Sequence, residues 1–331
     1  MAVAAFQTPS LAVSLWQVLN SFLPFLGLCA AMYACLEIGL PYWAVLPLAV
    51  LAAGFAVRIF IIQHDCGHGA FFRARWANDA LGRFCSLFTF TPFDNWRRWH
   101  ASHHATCSNL DRRVGSRSDV YSSCLTVDEY NALSRFGRLR YRILQHPVVA
   151  QLIMPTLIFL LIYRLPLDTP KSWRRERWSV WLTNLALAGL ALLLGFTLGF
   201  DAVLKVQLPI IMVAATIGVW LFAVQHRFEG TVWVRQGAWS GHLAALDGSS
   251  FLKLPRLLQW FTGNIGYHHV HHLNPRVPNY RLQDCHDAIE ALQAVPAISL
   301  WAAFRGHALA LWDEAACRMV RFPRKRKPMQ S

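Results

Sequence analysis

Charged residues are scarce in this sequence. Asp, Glu, Lys and Arg together account for 15% of its 331 residues, whereas hydrophobic residues account for 55%. Because soluble domains carry about a quarter charged residues, this deficit indicates a chain that lies in a membrane. The net charge of +14 could suit a nucleic-acid-binding protein, but the sequence lacks any nucleic-acid-binding motif and is too apolar for that class.

Two further absences concern the N-terminus and the cysteines. No Lys or Arg precedes Arg58, so the basic region that opens a cleaved signal peptide is missing, and the first apolar stretch is expected to remain as a membrane span. None of the eight cysteines forms a C-x-x-C pair. Without zinc or disulfide spacing, they are expected to be reduced thiols.

Four apolar stretches are long enough to cross a membrane as helices, which takes about 20 residues each. They cover residues 16–38, 43–63, 180–200 and 206–225. Because turns 39–42 and 201–205 are short, the stretches would form two helical hairpins. The sequence therefore predicts one all-α integral membrane domain with four spans.

The distribution of basic residues predicts the orientation of this domain. The two short turns contain one basic residue, Lys205, whereas regions 64–147 and 226–331 contain most of the others. Since basic loops stay on the cytoplasmic side, these two regions are expected to form a cytoplasmic helical cap, with both termini in the cytoplasm of a bacterium and the spans in its inner membrane. The basic run at 324–327 is expected to contact anionic lipid headgroups.

Two other apolar stretches are expected to enter the membrane without crossing it. Residues 81–93 are too few to span and are interrupted by Arg83. Residues 148–165 contain Pro155 and precede four basic residues between 171 and 177, which a crossing would place outside. Both stretches are interpreted as re-entrant or interfacial helices.

Histidines are concentrated in three short clusters, here called boxes. Nine of the 14 histidines lie in HDCGH (64–68), HASHH (100–104) and HHVHH (268–272). Positions i, i+3 and i+4 of a helix share one face, so each box directs two or three imidazoles to one point. Eight imidazoles from three segments exceed the needs of one metal ion, and the pattern predicts a site for two.

The remaining histidines are expected to have different roles. His226 directly follows the fourth stretch and is a candidate ninth ligand. His269 lies between ligand positions and is expected to point elsewhere, as a hydrogen-bond partner of the site or a structural residue. The histidines outside the boxes that are expected to be packing or interfacial residues are His146, His242, His286 and His307.

Nitrogen ligands suit iron, zinc, copper and nickel. A zinc protease would contain H-E-x-x-H with Glu as the base, but Asp, Cys and Gly stand between His64 and His68. Iron is favoured if the chemistry uses O₂, because iron changes oxidation state and zinc does not. Ligating histidines usually donate their second N–H to an oxygen, and the candidate acceptors near the boxes are Asp65, Asn109, Asp111, Asp119 and Asn264.

The sequence resembles the membrane fatty acid desaturases, especially the bacterial acyl-lipid desaturases, across residues 45–290. The matching motifs are HDCGHGAFF (64–72), WRRWHASHHATCSNLDRR (96–113), HRFEGTVW (226–233) and GNIGYHHVHHLNPRVPNY (263–280). The segment VGSRSDVYSS (114–123) departs from the family's tighter Gly-Asp pattern, which bears on the role of Asp119.

The resemblance implies two iron ions held by the boxes, O₂ as co-substrate, and electrons from a separate ferredoxin- or cytochrome-b5-like protein. The ligand roles carry over to His64, His68, His100, His103, His104, His268, His271 and His272, with His226 as an additional match. The expected reaction introduces a cis double bond into the acyl chain of a membrane lipid.

Three other functions are considered. A lipid or carotenoid hydroxylase or ketolase would share the boxes. A non-enzymatic metal transporter would need polar groups along its spans, and these contain little beyond Glu37 and Arg58. A zinc membrane hydrolase would need the missing base. Trp96, Arg97, Arg98 and Trp99, beside the second box, could bind a lipid headgroup, but the interpretation that they anchor the loop at the membrane interface is favoured.

Overall fold

The computed structural model describes residues 2–113, 121–306 and 308–323, and within them the fold is predominantly helical. The α-helices are α1 (Leu11–Glu37), α2 (Val45–His68), α3 (Arg75–Thr89), α4 (Phe93–Thr106), α5 (Val127–Ala132), α6 (Arg135–Leu144), α7 (Met154–Leu160), α8 (Arg174–Leu198), α9 (Phe200–Val224), α10 (Gly241–Leu246), α11 (Arg256–Phe261), α12 (His268–Leu273), α13 (Leu282–Ala288), α14 (Glu290–Gln293) and α15 (Leu300–Gly306). The strands are β1 (Leu125–Thr126), β2 (Phe251–Lys253), β3 (Ala297–Ser299), β4 (Leu311–Asp313) and β5 (Arg318–Val320).

Four helices of the described chain are long and apolar enough to cross a membrane, as the sequence predicted. They are Leu11–Glu37, Tyr42–His68, Arg174–Leu198 and Phe200–Val224. Large apolar side chains project outward from them, for example Leu185 (71% exposed) and Phe196 (80% exposed). A monomeric soluble protein rarely exposes so much continuous apolar surface, and this is therefore a membrane protein.

Helix α2 lies at the centre of the bundle, where it packs against α1, α3 and α9. Its small and branched side chains fill the core, including Ala52, Ala53, Ile59 and Ile62. Small residues allow membrane helices to approach closely, and the dispersion contacts they make stabilise the bundle. The two ends of α2 are thereby fixed relative to the other spans.

The ends of two spans differ from the predicted boundaries. Helix α1 begins at Leu11 because the side chain of Ser10 accepts a hydrogen bond from the Val13 N–H and caps the helix. The predicted turn at 201–205 is wrong: these residues form the start of α9, and Gly199, with φ +90°, makes the connection. Asp201 suits the first helical turn, where it pairs with Lys205 at 2.6 Å.

The two shorter apolar stretches are divided between several elements. Residues 81–93 include the second half of α3, a break at Phe90 with φ +55°, and the first residue of α4. Residues 148–165 include a π-helical turn (Val149–Ile153), α7 and a 3₁₀ turn (Ile162–Arg164). The second stretch is bent by 58° from α6, as a broken span or a re-entrant loop would be.

Short strands connect the regions outside the spans, and the hydropathy pattern did not predict these strands. Strands β1, β4 and β5 form one sheet, and β2 pairs in parallel with β3. The Leu252 N–H of β2 donates to the Gly266 carbonyl at 2.8 Å, just before the third box. A side chain at position 266 would lie 2.4 Å from the Leu252 carbonyl oxygen, so only glycine permits this close approach.

Candidate metal centre

The three boxes lie on three different helices. His64 and His68 occupy the last turns of α2, the HASHH box lies in α4, and the HHVHH box begins α12. His226 follows the end of α9 by two residues. Each helix presents its box at the end of the bundle where α2 and α9 terminate, so segments far apart in sequence meet there.

Nine histidines form two groups in which all ligand nitrogens of a group lie within 4.8 Å of one another. The first group contains His64, His68, His100, His104 and His271, and the second contains His103, His226, His268 and His272. The groups adjoin, since the rings of His104 and His272 stack with centroids 4.2 Å apart. Neighbouring residues of one box therefore serve different groups.

The spacing of nitrogens within a group fits ligands of one metal ion. The Nε2 atom of His226 lies 3.1 Å from Nε2 of His103 and 3.0 Å from Nε2 of His268. Two nitrogens that each lie about 2.1 Å from an ion, at right angles, would be about 3.0 Å apart. The buried Nε2 atoms of His68 and His272 have no hydrogen-bond partner, as expected of nitrogens that bind a metal.

The protonation state of the groups also suits metal binding. Burial, together with the neighbouring imidazoles, lowers the pKa of six histidines outside the membrane-spanning helices well below its usual value. They are His100, His104, His226, His268, His271 and His272. Neutral imidazole is the form that binds metals, so these side chains are ready to bind without losing a proton.

A chain of hydrogen bonds orients His64. Its Nδ1 lies 3.2 Å from Oδ1 of Asp65, and Oδ2 of Asp65 accepts from the backbone N–H and the side-chain amide of Asn279, at 2.7 and 2.8 Å. Gln17 of α1 in turn donates to Asn279 at 3.1 Å. The carboxylate accepts a hydrogen bond from the Nδ1–H, which leaves the Nε2 lone pair for the first group. Sequence reasoning singled out Asp65 but missed Asn279.

His226 is completely buried, and contacts at its Nδ1 atom hold the ring in place. Its Nδ1 lies 3.3 Å from the Gly248 carbonyl oxygen and 3.2 Å from Sγ of Cys107. Donation from Nδ1 to the carbonyl leaves Nε2 free to bind a metal with His103 and His268. Neither Gly248 nor Cys107 carries a sequence signal for this role.

The other candidate hydrogen-bond partners have different surroundings. His269 faces away from both groups and pairs with His286 at 3.0 Å. Asn109 donates to Gln236, Asp111 accepts from Arg235, and Asn264 donates to the Asn279 carbonyl, so only Asn264 is linked to the chain that orients His64. Asp119 lies outside the described residues.

The aromatic and basic residues before the second box hold α4 in place. Arg97 pairs with Asp79 at 2.6 Å and with Asp94 at 2.9 Å. The Arg98 guanidinium lies 4.7 Å from the centre of the Trp173 ring. Trp96 stacks on His100 with centroids 4.6 Å apart. These side chains therefore join α4 to its neighbours within the protein.

An apolar cavity leads from the histidines into the bundle, between α2, α4, α7 and α9. Its walls include Phe60, Trp96, Ile158 and Ile210. Along α9 it extends from Gln225 to Gln207, about 27 Å at 1.5 Å per residue. Four box histidines line it, namely His64 and His100 from the first group and His103 and His268 from the second. A long apolar molecule in this cavity would lie against both groups.

Comparison with known proteins agrees with this geometry. The family model described as fatty acid desaturase matches residues 41–303. A fatty acid desaturase of Bacillus subtilis (strain 168) is 45% identical over 320 residues, which cover 97% of this chain and 89% of that protein.

Cyanobacterial proteins are similar at lower identity. An sn-1 oleoyl-lipid 12-desaturase of Picosynechococcus is 26% identical, covering 78% of this chain and 72% of that protein. An sn-1 acyl-lipid omega-3 desaturase (ferredoxin) of Nostoc is 26% identical, covering 85% of this chain and 76% of that protein. The family match and the Bacillus relative both extend over most of the sequence, and the chain belongs to the fatty acid desaturase family of oxidoreductases.

Proposed function

We propose that this protein is an O₂-dependent acyl-lipid desaturase that introduces a cis double bond into the acyl chain of a membrane lipid. The observation that carries the proposal is the apolar cavity, which passes histidines of both groups. The apolar walls resemble the interior of a bilayer, so the acyl chain of a membrane lipid can enter the cavity without exposing apolar surface to water.

The nine histidines are proposed to hold two iron ions, one in each group, with His226 as a ligand in the second. Iron suits an all-imidazole donor set and changes oxidation state. When bound, the metal pair would supply the oxidising chemistry that removes two hydrogens from neighbouring methylenes, and these two hydrogens combine with O₂, two electrons and two protons to give two waters. No acid or base side chain can perform that step alone.

The protein's own residues position and shield the reaction. Asp65 and Trp96 fix the rings of His64 and His100, which face the cavity. Phe60, Trp99 and Phe222 line the cavity beside the histidines and would exclude water from the acyl carbons. Exclusion of water protects reactive intermediates and holds the substrate in one place.

The electrons are proposed to come from a separate ferredoxin- or cytochrome-b5-like protein that docks on the cytoplasmic face. The printed name of the Nostoc relative includes ferredoxin. The basic residues outside the spans could attract an acidic carrier. For a cytoplasmic carrier to reach it, the metal centre is proposed to lie in the cytoplasm with both termini, and the spans in a bacterial inner membrane.

Expression in a bacterial host with a simple, saturated fatty acid profile tests the proposal. Aerobic growth should yield a new monounsaturated fatty acid whose double bond can be located by mass spectrometry.

Protein purified without chelators should contain about two iron ions per chain, one for each nitrogen group. The product should be absent with His100→Ala and present with His242→Ala, which alters an exposed histidine of α10. A hydroxylated or keto product would favour the alternative chemistry, and stoichiometric zinc in active protein would contradict the iron assignment.

A further inference from the structure

A second cavity lies on the other side of α2, between α1 and the segment that precedes the third box. It has a volume of about 550 Å³, and we call it the basic cavity because Arg58, Lys253 and Arg256 line it. Arg58 and Phe60 lie about 200° apart around α2, so Arg58 faces away from the apolar cavity that Phe60 lines. No Asp or Glu is found among the described residues that line the basic cavity.

Arg58 is a charged residue inside a membrane span, where it is 6% exposed. Its Nε and Nη2 lie 3.4 Å from Oδ1 of Asn20, and Nη1 donates to the Trp260 carbonyl. The guanidinium also stacks 3.9 Å from the centre of the Trp260 ring. These partners are all neutral and leave the charge of Arg58 unbalanced, and an ionisable group at membrane depth usually marks a functional site.

Gln259 provides an independent indication of a ligand in the basic cavity. Its side chain lines the cavity and is 9% exposed, and neither Oε1 nor Nε2 has a hydrogen-bond partner. An unsatisfied buried amide destabilises the folded state, so native structures rarely retain one unless a ligand or water supplies its partner. A ligand with oxygen acceptors and hydroxyl donors would satisfy both amide atoms.

Exposed apolar side chains of α1 also line the basic cavity. They are Val13, which is 40% exposed, and Trp16, which is 65% exposed. Lys253 and Arg256 are exposed beside them. Guanidinium and ammonium groups bind phosphate, and the flanking apolar surface would accommodate acyl tails, which a free phosphate lacks.

We propose that the basic cavity binds the phosphate-bearing headgroup of one anionic phospholipid, which is distinct from any molecule in the apolar cavity. Arg58, Lys253 and Arg256 contact the phosphate, Gln259 contacts the polar headgroup, and the tails lie against Val13 and Trp16. The bound lipid would join α1 to α11. The inference holds whether or not the metal centre catalyses desaturation.

Native mass spectrometry of delipidated protein tests the inference. Phosphatidylglycerol and phosphatidylcholine with identical tails are titrated separately, and one phosphatidylglycerol should bind at concentrations where phosphatidylcholine does not. Lys253→Gln with Arg256→Gln should weaken this binding about 25-fold, since each of the two basic residues near the surface contributes about fivefold. Arg58→Gln should abolish the preference for phosphatidylglycerol, and Arg58→Lys should retain part of it.

The matched control removes two exposed basic residues that do not line the basic cavity, Arg112→Gln with Arg318→Gln, and it should bind phosphatidylglycerol like the unmodified protein. The Lys253/Arg256 variant alters only exposed side chains, so it remains informative if Arg58 variants misfold. Equal binding of both lipids, or undiminished binding by the Lys253/Arg256 variant, would overturn the proposal. Displacement of the lipid by an equal concentration of inorganic phosphate would identify a free-phosphate site and also overturn it.

Discussion

The orientation of His64 depends on residues that do not themselves contribute nitrogens to either group. Asp65 accepts from the imidazole and is held by two donors from Asn279, while Gln17 steadies the Asn279 amide. Partners of this kind fix the ring and raise its basicity toward a metal. The strength of metal binding should therefore depend on Asp65 as well as on the imidazoles.

Asp65→Asn should weaken metal retention by about 10–100-fold. The amide keeps the shape of the carboxylate but loses its charge and one acceptor. Metal remaining after equilibration with a graded series of chelator concentrations, measured by elemental mass spectrometry, reports the change. Asp284→Asn, on the exposed face of α13, serves as the matched control. Equal retention by the two variants would mean that Asp65 only joins α2 to Asn279.

His226→Ala should lower the metal content by about one ion per chain and abolish the product, since the second group would keep only three nitrogens. His242→Ala should alter neither quantity. A His226→Ala protein with a full metal complement would exclude His226 as a ligand. Loss of product with full metal content would instead indicate that its ring shapes the cavity region around Phe222.

At the scale of elements, the position of the second box depends on how α3 meets the start of α4. Phe93, the first residue of α4, is completely buried against Gly82 of α3. A Cβ at position 82 would lie 2.3 Å from the Phe93 ring, so glycine is required for the two helices to approach. The ring is enclosed and cannot move aside easily.

Gly82→Ala should therefore lower the midpoint of thermal unfolding. Overpacking costs about 1–3 kcal/mol, which should exceed the gain of about 1 kcal/mol in helix propensity. Gly189→Ala in α8 is the control, because a Cβ there meets nothing within 4 Å. Unfolding followed by circular dichroism in one detergent compares them. Midpoints that do not differ would show that α4 can shift to accommodate the methyl group.

For the whole molecule, sequence patterns of short range predicted most of the architecture. Apolar stretches of membrane length predicted four spans, and the i, i+3, i+4 spacing placed His100 with His104 and His268 with His272, as the groups contain them. Each of these patterns lies within one segment of the sequence. They can therefore be recognised without knowing how the segments pack against one another.

Features that join distant segments could not be predicted in the same way. Asp65 and Asn279 are separated by 214 positions, and no local pattern relates them. His103 and His104 are adjacent in sequence but belong to different groups, which depends on where α2 and α12 meet α4. The start of α9 was misplaced because hydropathy alone reads Asp201 and Lys205 as a polar turn, whereas they pair within one helical turn.

The joining of the boxes also constrains how the chain crosses the membrane. The ends of α2 and α9 meet at the nitrogen groups, and α8 and α9 form a hairpin. The start of α8 therefore lies on the same side as the end of α2. A single crossing by residues 149–164 would place it on the opposite side, so this bent segment is expected to enter and leave by one face.

Cysteine labelling in a cysteine-depleted background tests this topology. Ser172→Cys, just before α8, should be shielded from a membrane-impermeant thiol reagent in intact cells, and so should Ser331→Cys. Ala202→Cys, at the tip of the second hairpin, should be labelled. Permeabilised cells should label all three, which shows that each thiol is reactive. Labelling of position 172 from outside would overturn the re-entrant assignment and the single-sided metal centre with it, because the start of α8 would then lie on the opposite side of the membrane from a cytoplasmic end of α2.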